Sequence, residues 1–169
     1  KNFHLQAGDT SYIMQIVKEK YLVHLYWGRR ISSYHESRRI IWKDRGFAPN
    51  PDASDRTFSL DTLPQEYPQT GNGDFRNPAY GIRQENGSRI SNLEYIGYEI
   101  SDGKPKLPGL PASSGSKKDV QTLKVYMEDA VAGLKVCLLY SVFASESVIT
   151  RSVIFLNKGE KPLHLTKML

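Results

Sequence analysis

The chain has 169 residues, 39% hydrophobic and 24% charged, with 13 glycines and 9 prolines, the make-up of one globular domain rich in turns. No apolar run reaches the roughly 18 residues of a membrane helix, and the start Lys1-Asn2-Phe3-His4-Leu5-Gln6 is not a signal peptide, so no membrane partner is expected. A lone cysteine, Cys137, and four histidines (His4, His24, His35, His164) without shared ligand spacing give no basis for a disulfide framework, a bound metal or a cofactor. The balance of 23 basic to 18 acidic residues, net +5, permits contact with nucleic acid without requiring it.

In chain order, Tyr12 to Val17 leads through Lys18-Glu19-Lys20 into Tyr21 to Trp27. The alternation places Tyr21, Val23, Leu25 and Trp27 on one face and Leu22, His24 and Tyr26 on the other, a predicted hairpin. Next comes the densest basic stretch, Arg29-Arg30 and Arg38-Arg39, around Ser33-Tyr34-His35-Glu36. Ser33 and Glu36 have capping-box spacing, which predicts a short helix on a solvated or subunit-facing surface. From Trp42 to Arg76 the periodicity disappears. Ile90, Ile96, Tyr98 and Ile100 share a parity between the turn dipeptides Asn86-Gly87 and Asp102-Gly103, which predicts another strand. Gly103 to Lys118, with Pro105, Pro108 and Pro111, reads as a loop crossing between sheets.

Val120 to Glu128, Leu134 to Phe143 and Val148 to Asn157 then form a predicted meander, with Cys137 a small buried hydrophobe in the middle strand. A last segment, Leu163 to Leu169, begins a strand that stops with the chain. An unpaired apolar edge is an aggregation hazard, so the segment is expected to be the first part of a longer polypeptide. Strands of this size without strand–helix alternation predict an all-β fold, two antiparallel sheets packed as a sandwich over residues 1–169, with a short helix and a long irregular loop.

The irregular middle interleaves Asp44, Arg45, Phe47, Asp55, Arg56, Phe58, Glu66, Tyr67, Asp74, Phe75 and Arg76. Carboxylates and arginine forks bind sugar hydroxyls while ring faces cover sugar C–H surfaces; the same residues also suit a protein interface, and composition alone favours neither. Asp61, Glu66 and Asp74 sit among prolines and glycines, where loop-stapling hydrogen bonds are expected of them instead of hydrolysis.

The residues Phe3-His4-Leu5, Asp9-Thr10-Ser11-Tyr12, Gly28 and Asp44-Arg45-Gly46-Phe47, with Leu63-Pro64-Gln65-Glu66-Tyr67-Pro68, Gly71-Asn72-Gly73-Asp74-Phe75-Arg76-Asn77-Pro78 and Val148-Ile149-Thr150-Arg151-Ser152, span the whole chain. Together they resemble the N-terminal domain of bacterial melibiase-type α-galactosidases, glycoside hydrolase family thirty-six. The resemblance implies a β-supersandwich ahead of a (β/α)₈ catalytic barrel, in a cytoplasmic, commonly tetrameric enzyme that removes α-linked galactose from oligosaccharides. It implies a retaining reaction by two aspartates of the barrel, so no catalytic residue is expected in this segment. It matches Asp44 and Arg56 to loop residues that bind substrate in a neighbouring subunit's site, with Trp42 and Phe47 as candidate walls. The competing reading is a non-catalytic carbohydrate-binding β-sandwich. Nucleic-acid binding, which would be steeply salt-dependent, is the least supported.

Overall fold

A computed structural model describes residues 1–35, 50–109 and 112–169. Among the described residues, nine antiparallel strands run in the order β1 (Asn2–Ala7), β2 (Thr10–Val17), β3 (Tyr21–Arg29), β4 (Tyr80–Arg83), β5 (Glu94–Asp102), β6 (Val120–Asp129), β7 (Leu134–Phe143), β8 (Val148–Asn157) and β9 (His164–Met168). They form a three-stranded sheet β1-β2-β3, a four-stranded sheet β5-β6-β7-β8 and the pair β4-β9. The two larger sheets bury a common core: Phe3, Tyr12, Met14, Ile16 and Leu22 on one side, Leu123, Val125, Met127, Val136, Leu138 and Tyr140 on the other. This is the sandwich that the period-two alternation predicts. Among the described residues there is no α-helix, and Ser33 to His35 is irregular; the rest of the predicted helix, from Glu36, lies outside the described residues.

The meander follows the turn chemistry. Gly133 has φ +66°, and a Cβ there would meet the backbone of Gly159 at 2.7 Å, so both handedness and space demand glycine between β6 and β7. The β2–β3 turn solves the same problem without glycine: Lys18 and Glu19 both have positive φ (48° and 60°), and Lys20 N–H donates to the Val17 carbonyl at 3.1 Å. Two consecutive left-handed residues match the right-handed twist of a hairpin.

Sequence alternation misplaces one side chain. The β2–β3 register pairs Ile13 with Tyr26 but Met14 with His24, so Leu25 is the extra residue of a bulge, and every position beyond it changes face. Trp27 therefore does not lie with Tyr21 and Val23 but opposite Tyr12, edge-on at 6.0 Å. A second bulge, between Tyr95 and Gly97, interrupts the predicted stripe on β5. Tyr98 and Ile100 do pair with the buried Val125 and Leu123, yet an edge strand leaves them 42% and 60% exposed. Ile90 precedes the strand. The last segment is not an unpaired edge: β9 pairs with β4, from Tyr80 opposite Met168 to Arg83 opposite His164.

The irregular middle is a packed element. Phe58, Leu60 and Leu63 are fully buried against Val17, Tyr21 and Val23, on the outer face of the three-stranded sheet. The segment around Pro64 also covers the free edge of β3, with His24 N–H donating to the Pro64 carbonyl at 2.8 Å and Glu66 N–H to the Leu22 carbonyl at 3.0 Å. An edge that would otherwise recruit foreign strands is closed by the chain's own loop. Leu60→Ala is therefore expected to cost about 2–5 kcal/mol, the range for emptying a packed site. Phe75→Ala, which removes a ring that is 88% exposed, is expected to change stability by less than about 0.5 kcal/mol. Urea unfolding of the two variants checks the contrast.

Candidate functional site

Of the four predicted substrate-binding residues, Trp42, Asp44 and Phe47 lie outside the described residues, and Arg56 is described. Arg56 is exposed on a tight turn whose backbone is fixed from both sides. Asp52 accepts from Ser54 N–H at 3.0 Å and from the Ser54 hydroxyl at 2.6 Å. Asp55 does the same for Thr57, at 3.1 and 2.6 Å. Asn50 donates through Nδ2 to the Asp55 carbonyl at 2.6 Å and accepts from Asp52 N–H at 2.9 Å. Such side-chain-to-backbone bonds are why Asp, Asn, Ser and Thr concentrate in turns.

The turn is tied to the sheet through Lys18 at the β2–β3 tip. Its Nζ lies 2.7 Å from Asp52 Oδ2 and 2.8 Å from Asp55 Oδ2, above the Phe58 ring at 5.0 Å. The hydrogen bond from Lys18, followed by the Ser54 contacts, holds the Asp52 carboxyl down at about 2, and Lys18 and Thr57 lower that of Asp55. Lys18 carries no motif; what marks it in the sequence is only its place in the three-residue turn Lys18-Glu19-Lys20 between β2 and β3.

A second polar cluster lies between the two large sheets. The Glu66 side chain is 2% exposed. Its Oε1 accepts from the Tyr12 hydroxyl at 2.6 Å and from the Tyr140 hydroxyl at 3.0 Å and forms an ion pair with Arg151 Nη2 at 3.1 Å, while His24 Nδ1 lies 3.4 Å from Oε2. Burial and the adjacent carboxylate push both tyrosine hydroxyls well above their ordinary range, so they remain donors. Arg151 also lies over the Tyr140 ring at 5.6 Å. An open cleft of about 460 Å³ beside the cluster is lined by Tyr12, His24, Trp27, Arg76 and Arg151 among others, with Trp27 72% exposed. Arg151 was legible as an anomaly: it interrupts the inward-facing series Ile149, Val153, Phe155 of β8, and a cation at such a position points to a carboxylate nearby.

Asp74 is the third anchor. It accepts from Arg76 N–H at 3.0 Å, from Arg76 Nε at 2.9 Å and from Gln65 Nε2 at 2.7 Å, and Arg76 Nη2 donates on to the Leu60 and Leu63 carbonyls, both at 2.8 Å. Burial alone would raise the Asp74 carboxyl, but the Arg76 bonds and charge outweigh it and lower it overall. Glu66 and Asp74 are thus loop staples, as their setting in the sequence predicts. Cys137 is buried, and burial raises its thiol. Among the described residues no cluster of His, Cys, Asp and Glu could hold a metal ion.

Comparison with known proteins gives consistent results. The glycosyl hydrolase family 36 N-terminal domain profile matches residues 20–169. The chain is 48% identical over 170 residues to α-galactosidase AgaA of Geobacillus stearothermophilus, covering 100% of this chain and 23% of that protein. It is 43% identical over 169 residues to the bifunctional α-galactosidase/sucrose kinase AgaSK of Mediterraneibacter gnavus, 99% of this chain and 18% of that one. The crystal structure of an AgaA variant in complex with raffinose superposes with a TM-score of 0.95 at 48% identity, over 100% of this chain and 24% of that one. The chain thus spans about a quarter of the length of AgaA.

The geometry generates two expectations. Glu66→Ala strands two buried phenols and half-exposed Arg151, at about 1–3 kcal/mol for each buried group left unpaired, so a loss of about 3–5 kcal/mol is expected by urea unfolding. Glu66→Gln, which keeps an acceptor, is expected to lose less. The carboxyls of Asp52, Asp55 and Asp74 are depressed in the folded state, so their stabilisation is present above the ordinary value of 3.8 and disappears as pH falls through the lowered ones, toward about 2 for Asp52. Hydrogen exchange at the amides of Ser54, Thr57 and Arg76 is accordingly expected to stay protected at pH 4 relative to a peptide reference and to lose protection as pH approaches 2.

Proposed function

The chain belongs to the glycosyl hydrolase family 36 N-terminal domains, and on that premise we propose that it is the N-terminal part of an α-galactosidase acting on oligosaccharides that end in α-linked galactose. The observation that carries the reading is the match over the whole chain, at 48% identity and a TM-score of 0.95, to a relative solved with raffinose. The buried carboxylates of this segment are engaged by tyrosines, arginines and backbone amides, which suits anchoring and leaves hydrolysis to residues elsewhere. The reaction is then that of a retaining glycosidase, with two carboxyls of a (β/α)₈ barrel serving as nucleophile and acid/base.

In this reading residues 1–169 support assembly, with a tetramer as the expected oligomer and the cytoplasm as the expected compartment. The loop residues Asp44 and Arg56, flanked by Trp42 and Phe47, help bind the saccharide in a neighbouring subunit's site. The exposed Arg56, on a turn with a fixed backbone, supports this, because a binding group held in place loses little entropy when substrate arrives.

Hydrolysis of a chromogenic α-galactoside by the 169-residue segment and by the longer polypeptide that contains it tests the proposal. Activity is expected in the longer chain alone; activity in the segment alone would relocate the catalytic carboxylates, and inactivity in both would favour a sugar-binding module. Asp44→Ala in the active enzyme is expected to raise KM about tenfold or more with little change in Tm. Unchanged kinetics would remove Asp44 from the site.

A further inference from the structure

We infer that Lys18 is a positioning residue for the saccharide site: it holds the turn that bears Arg56 and occupies the two carboxylates that would otherwise draw the Arg56 guanidinium away from substrate. The inference rests on the substrate-binding reading of Arg56 given above.

Three observations converge on Lys18. It is a non-glycine residue at φ 48°, followed by Glu19 at φ 60°, a conformation that persists only where the surroundings hold it. Its ammonium contacts the carboxylates of both Asp52 and Asp55 within 2.8 Å, so it bridges the turn from Asp52 to Asp55 and the turn from Asp55 to Phe58, which contains Arg56. It also lies over Phe58, which is fully buried and packs on Tyr21 at 5.4 Å. The stem of the turn is therefore fastened to the sheet by an apolar plug and a double ion pair, while Arg56 is free to extend.

The charge arrangement gives Lys18 a role that packing alone does not supply. Asp55 adjoins Arg56 in sequence and Asp52 lies four residues before it. With Lys18 in place, the cation and the two turn-capping hydroxyls satisfy both carboxylates. Without it, two negative charges remain beside an arginine whose fork geometry suits a carboxylate well. An Arg56 folded back onto Asp52 or Asp55 would have to break that pair before binding a sugar. The loss would fall on ground-state and transition-state binding alike, and so on KM more than on kcat.

The test uses the full-length α-galactosidase that contains this domain, with Lys18→Met, Lys18→Arg, Arg56→Ala and the double variant Lys18→Met/Arg56→Ala. Lys18→Met is expected to raise KM about tenfold with kcat within about twofold. Lys18→Arg is expected to restore KM to within about twofold of the parent, because a guanidinium can bridge both carboxylates. The double variant is expected to show the KM of Arg56→Ala alone, since both changes remove the same contact. If Arg56→Ala raises KM and Lys18→Met does not, the positioning role is wrong. The same holds if Lys18→Met lowers kcat and Tm together without rescue by arginine, which marks a merely structural residue. If Arg56→Ala leaves KM unchanged, the substrate-binding reading itself fails and this inference falls with it.

Discussion

A single buried carboxylate sets the constraint on which the architecture turns. Glu66 belongs to the irregular middle, yet it accepts hydrogen bonds from Tyr12 on β2 and Tyr140 on β7 and pairs with Arg151 on β8. Both sheets of the sandwich and the loop at its open side therefore meet at one pair of oxygen atoms. Burying a carboxylate is costly unless its lone pairs are satisfied, and here neutral phenols do most of that at short distance. The benefit is geometric: a phenol from each sheet must point at the same place, which fixes how one sheet lies over the other more narrowly than apolar side chains alone would. The same loop closes the edge of β3 through Pro64 and Glu66, so the charge and the edge are resolved together.

The long loop accordingly divides into an anchored part and a displayed part. Phe58, Leu60 and Leu63 are plugs with no exposure, and Asp74 with Arg76 clamps the carbonyls of Leu60 and Leu63. Beside these fixed points stand side chains in water: Arg56, two residues before Phe58, and Phe75 at 88% exposure immediately between Asp74 and Arg76. A ring so exposed contributes little to the fold that presents it, and the polar clamp around it keeps its backbone from relaxing to bury it.

Fold class was legible because period-two alternation is a direct consequence of a sheet with one buried face. The boundaries of β7 and β8 could be read from Leu134 to Phe143 and from Val148 to Asn157 without adjustment. What alternation could not supply was the face of Trp27, because a bulge at Leu25 costs one residue and carries no distinctive composition. Nor could it show that Phe58, Leu60 and Leu63 are core: their spacing fits neither a helix nor a strand, and they are buried only because the outer face of β2 and β3 needs covering. The candidate site was legible only through resemblance. Asp44 and Arg56 are proposed from the resemblance, whereas Lys18 contacts residues more than thirty positions away that no local pattern announces.

That separation of signals has a physical basis. A group that touches substrate is chosen by the chemistry of the ligand, so it recurs with its neighbours in recognisable segments. A group that holds such a residue in place is chosen by geometry, and any cation of the right reach at the hairpin tip would satisfy Asp52 and Asp55. In the role proposed for Lys18 the demand on the anchor is nevertheless strict in another sense: it must neutralise both carboxylates at once, since two aspartates beside an arginine would otherwise compete with the sugar for it. In the proposed role the ion pairs at Lys18, made by part-buried side chains, matter less for stability, where pairs near the surface contribute little, than for which partner the arginine can reach.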